Sequence, residues 1–105
     1  MPVVPGRFVP DSEIDEAVLR AQRALGSDVV RIGYSFADDW TGEPSLFFRV
    51  LLRDAPSEYR KLAEFTERIQ WGIEKEVKPD EMGLHAFFNF RTKAEQDDLQ
   101  DPAWA

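Results

Sequence analysis

The chain has 105 residues and no cysteine, so it is long enough to bury roughly 65% of the surface its unfolded form exposes, and disulfides, thiolate metal sites and cysteine nucleophiles are excluded. Thirteen Lys and Arg against 20 Asp and Glu give a formal charge of −7, which argues against direct nucleic-acid binding and favours a basic protein partner, since phosphate binding draws on clustered cations. The absence of a long apolar run and of a cationic, apolar N-terminal leader argues against membrane insertion or export, and together with the missing cysteines predicts a cytoplasmic protein.

Residues 1–10, MPVVPGRFVP, carry three prolines and a glycine and read as an extended arm. Asp11 or Ser12 then caps a helix over 12–25, in which Ile14, Val18, Ala21 and Leu25 step by three and four along one face and Gly26 supplies the stop. Over 29–36 the period changes to two: Val30, Ile32, Tyr34 and Phe36 alternate with Arg31, Gly33 and Ser35, which is the pattern of a strand. A second strand over 46–53 sets Leu46, Phe48, Val50 and Leu52 against Phe47, Arg49, Leu51 and Arg53, so its second face is itself amphipathic and calls for partial cover.

A long helical stripe follows in Tyr59, Leu62, Phe65, Ile69, Ile73 and Val77, ended by Lys78, Pro79 and Asp80. The third strand, over 84–90, places Leu84, Ala86, Phe88 and Phe90 opposite His85, Phe87 and Asn89. Thr92 with Glu95 three residues later is a capping box for a short polar helix reaching about residue 100, with 101–105 as a tail. The expected fold is a single α+β domain of two layers, in order α-β-β-α-β-(α). Its small mixed sheet pairs the first two strands antiparallel through a ten-residue loop and the last two parallel across the long helix, with helices packed on one face.

Three groupings carry candidate chemistry. Asp38, Asp39 and Glu43 crowd the loop between the first two strands, where oxygen ligands suit magnesium, although Asp, Gly and Pro are equally the residues of an ordinary turn. Arg49, Arg53 and Arg91 converge if the second and third strands are neighbours, either to grip an anion or to pair with acids inside the fold. Trp40, Phe47, Trp71 and Phe87 fall off the main apolar stripes, as does Trp104; they serve an interface or lie under the arm and tail. His85, the one histidine, has no companion for a metal site or nucleophile beside it in the sequence.

The order helix, IGYS (Ile32 to Ser35), acidic loop, SLFFRVLL (Ser45 to Leu52) resembles the minimal nucleotidyltransferase-type antitoxins that accompany HEPN-domain toxins. In that family a Gly-Ser turn after the first strand grips the nucleotide and an Asp-x-Asp pair opens the next strand to bind metal. Gly33 and Ser35 match the first element, but the second strand here opens Glu43, Pro44, Ser45, Leu46 without an acidic pair. The helix that family places between these strands is missing too. The resemblance therefore implies a catalytically dead relative that binds a partner.

The primary expectation is a non-catalytic, acidic interaction protein, antitoxin-like or an accessory subunit, that binds a protein partner or itself through the second sheet face and the exposed side of the long helix. The alternatives are a magnesium-dependent nucleotidyltransferase or phosphoryl-transfer enzyme built on Asp38, Asp39 and Glu43, and an anion-binding module built on Arg49, Arg53 and Arg91.

Overall fold

The computed structural model describes residues 11–104; the expected N-terminal arm lies outside the described residues. Helix α1 (Asp11–Leu25) leads through a 3-10 turn (Gly26–Asp28) into strand β1 (Val29–Asp38), which is followed by β2 (Pro44–Leu52), α2 (Tyr59–Val77), a second 3-10 turn (Pro79–Met82), β3 (His85–Thr92), α3 (Lys93–Leu99) and a final 3-10 turn (Pro102–Trp104). The sheet order is β1-β2-β3, with β1 antiparallel and β3 parallel to the central β2. This is the mixed α+β architecture expected from the alternation of periods.

The two long helices form because their apolar residues share a stripe. Ile14, Ala17, Val18 and Ala21 of α1 and Ile69, Gly72, Ile73 and Val77 of α2 are buried against one another and against the sheet. Helix α2 ends where Lys78 turns left-handed (φ 54°) and its N–H reaches the Glu74 carbonyl at 2.8 Å, with Pro79 blocking further turns. The Tyr34 hydroxyl donates to the Asp15 carboxylate at 2.7 Å and ties the start of α1 to β1. Burial, reinforced by that carboxylate, pushes the Tyr34 phenol well above its ordinary range.

The core face of the sheet is made by Leu46, Phe48, Val50 and Leu52 of β2, all inaccessible to solvent or nearly so, with Val29 and Ile32 of β1 beside them. Val29 joins this face through a register irregularity between Val29 and Arg31, which re-aims the strand so that Val29, rather than Val30, is fully buried. Strand β3 has no fully buried side chain, and its Phe88 stacks on Phe48 with ring centroids 4.9 Å apart.

The strands run further toward the hairpin than alternation of apolar residues indicates. Ala37 pairs with Ser45 and Asp38 with Pro44, so the expected ten-residue loop shrinks to residues 39–43. Proline is tolerated there because it is the first residue of the strand. The expected tail also departs from extended chain: residues 102–104 form a turn that places Trp104 on the sheet at 9% exposure.

Candidate functional site

Side chains on the helix-free face of the sheet follow from the register. Four rows cross it: Ala37, Ser45 and His85; Ser35, Phe47 and Phe87; Gly33, Arg49 and Asn89; and Arg31, Leu51 and Arg91. The face changes character along the strands, from aromatic near the hairpin loop to cationic at the far end.

At the loop end, Phe47 and Phe87 stack at 5.1 Å with ring planes 20° apart, and Trp40 leans on Phe87 at 5.3 Å. Trp40 nevertheless stays 81% exposed. The turn that presents it is built by Asp39, whose carboxylate accepts hydrogen bonds from the Thr41 backbone N–H (2.8 Å), the Thr41 hydroxyl (2.6 Å) and the Glu43 N–H (3.0 Å). Gly42 adopts φ 86°, open to glycine at little strain, and donates to the Asp39 carbonyl at 3.0 Å. The Thr41 hydroxyl, then the backbone donors and the nearby His85 charge, hold the Asp39 carboxyl below its usual range against a small opposing effect of burial.

This geometry gives the acidic loop a structural job. One Asp39 oxygen, Oδ1, takes all three of these hydrogen bonds, and no group of three or more His, Asp or Glu side chains among the described residues is placed to hold a metal ion.

In the middle row Arg49 lies back over Gly33, donating to the Ser35 hydroxyl (2.8 Å) and the Tyr34 carbonyl (3.3 Å). A side chain at position 33 would meet the guanidinium, since a Cβ built there falls 3.4 Å from an Arg49 terminal nitrogen. In the last row the C-terminal turn folds onto the sheet. Arg91 donates to the Gln96 side-chain oxygen (2.8 Å), pairs with Asp101 (3.4 Å) and carries the Trp104 ring 4.4 Å from its guanidinium carbon, while Arg31 donates to the Trp104 carbonyl.

Of the residues singled out in the sequence, Phe47, Arg49, Phe87 and Arg91 share this face, and Trp40 overhangs it. Arg53 does not join them: it follows the end of β2 and donates to the Ser27 carbonyl at 2.9 Å, because the chain turns away there. Trp71 sits on α2, 64% exposed, under the Lys75 ammonium at 4.7 Å, remote in the fold from the strand face. Arg31, Leu51 and Trp104 complete the face; of these only Trp104 was singled out in the sequence, as an aromatic off the main stripes. The alternation of Arg31, Gly33 and Ser35 pointed to the first of them, but only strand order reveals that it lines one cavity with Arg49.

On the opposite side of the sheet, a cleft of about 450 Å³ runs between α2 and β3, with Leu52, Leu62, Phe90 and Thr92 among its walls. No described helix is long and apolar enough to cross a membrane. Comparison with protein-family models, with curated proteins and with solved structures finds no significant match for this chain.

Proposed function

We propose that the protein is a non-catalytic interaction module that docks a protein partner, or a second copy of itself, on the helix-free sheet face around Trp40. The observation that carries this reading is the ring cluster: an indole 81% exposed yet held in contact with Phe87, which is itself stacked on Phe47. A large aromatic that is fixed before binding loses little conformational freedom on docking, which is how such residues come to dominate interface energies. The likeness to nucleotidyltransferase-type antitoxins points to the same kind of role. The net charge of −7 suggests a basic partner, whereas the charged groups of this face are arginines, which match acidic groups on whatever docks there.

The test compares wild type with Trp40→Ala and Trp71→Ala by sedimentation and by affinity capture from the source cells. A stoichiometric partner or a dimer should be held by wild type and by Trp71→Ala. Trp40→Ala should weaken it by about tenfold or more, a loss of at least ~1.4 kcal/mol, with an unchanged melting temperature. A monodisperse monomer that captures no stoichiometric partner overturns the proposal.

A further inference from the structure

We infer that Arg31 and Arg49 form a binding site for one oxyanion, a carboxylate or a phosphate monoester, in a cavity beneath the C-terminal turn. The cavity measures about 60 Å³ and is lined by Arg31, Gly33, Arg49, Leu51, Ala103 and Trp104. Two guanidinium groups line it and, among the described residues, no carboxylate does. Among the described residues, neither arginine forms an ion pair, in contrast to Arg91, which has Asp101.

Donor accounting gives the same answer. Each guanidinium carries five N–H groups in a planar fork. Arg31 spends one on the Trp104 carbonyl, and Arg49 spends two on Ser35 and Tyr34. The remaining N–H groups of both have no protein acceptor among the described residues and are available to a ligand. Two like charges against one small space repel, and a bound anion removes that repulsion while taking bidentate hydrogen bonds.

Size selects the ligand. The space is small, about 60 Å³, which suits the head of an oxyanion. The remainder of the ligand lies outside, on the sheet face. The bare backbone at Gly33 keeps the space open, because a methyl group there would project toward the Arg49 fork.

This inference stands apart from docking at Trp40, and the experiment separates them. The Nε–H signals of Arg31 and Arg49 are followed by NMR in the intact protein while sodium phosphate or sodium acetate is added at constant ionic strength, with sodium chloride as the reference. Both signals should shift saturably; acetate alone doing so identifies a carboxylate, and phosphate alone a phosphate monoester. Arg49→Lys, which keeps the charge and loses the fork, should weaken the response about tenfold. Gly33→Ala, which keeps both arginines and narrows the cavity, should weaken it as well, and Trp40→Ala should leave it unchanged. Equal, unsaturable shifts with chloride, or full binding in both Arg49→Lys and Gly33→Ala, overturn the site.

Discussion

Asp39 shows how one side chain converts an acidic loop into a presenting device. Its carboxylate takes three donors from Thr41 and Glu43, and the turn so formed carries Trp40 onto Phe87. Because these bonds favour the ionised form, the folded-state value lies below the unfolded one. The stabilisation is therefore complete above about pH 4, the ordinary carboxylate value, and is lost as pH falls through the lower folded value. Acidification from pH 5 to 2 should release Trp40 toward solvent, seen as movement of its indole N–H resonance, while Asp39→Asn should abolish that titration because its amide oxygen accepts without ionising. A Trp40 signal that titrates unchanged in Asp39→Asn would sink this account. The sequence placed Asp39 in a loop between two strands but left its role open, since metal ligand and turn residue call for the same side chain. The Thr41 and Glu43 donors show the turn role.

At the level of elements, the helices and strands were legible wherever apolar spacing was unbroken: the stripe from Tyr59 to Val77 and the alternation from Leu46 to Leu52 reappear as α2 and β2. What was not legible depends on neighbours. Pro44 and Ser45 read as loop, yet pairing with Asp38 and Ala37 extends the hairpin through them. Of the arginine grouping, Arg49 and Arg91 share a face as the expected pairing of β2 with β3 implies, whereas Arg53 lies past the end of β2 and bonds to the Ser27 carbonyl.

Gly72 illustrates a position that no stripe records. It is buried on α2, and a Cβ there would come within 3.0 Å of a Leu25 methyl carbon, so the glycine lets the end of α1 approach the helix closely. A glycine in a helix interior costs about 1 kcal/mol relative to alanine, and this contact gives a reason to accept that cost. Gly72→Leu should therefore destabilise the protein by about 1–3 kcal/mol through overpacking, lowering the urea midpoint with an unchanged m-value. A midpoint at or above that of wild type would show that α1 and α2 do not depend on this approach.

Across the whole molecule, the two faces of the sheet are closed in different ways. The core face is covered by the long helices, while the far end of the other face is covered by the turn of residues 102–104 after α3. The capping box of Thr92 and Glu95 starts α3 directly at the end of β3, the Gln96 amide donates to the Asp101 carbonyl at 2.8 Å, and Asp101 in turn faces Arg91. These polar contacts steer the chain back, but the burial comes from Trp104 resting beside Leu51, which is only 5% exposed. Removing a buried Trp side chain costs about 3–5 kcal/mol, a large share of the roughly 5–15 kcal/mol that holds a domain of this size. Trp104→Ala should accordingly lower the unfolding free energy by about 3–5 kcal/mol and speed hydrogen exchange at Arg31 and Leu51 on β1 and β2. Trp71→Ala removes an indole that already faces water and should change stability by less than about 0.5 kcal/mol. If the two variants unfolded at the same urea concentration, the C-terminal turn would be an appendage rather than part of the sheet's packing, and the aromatic and cationic halves of the face would have to be held in place by the strands alone.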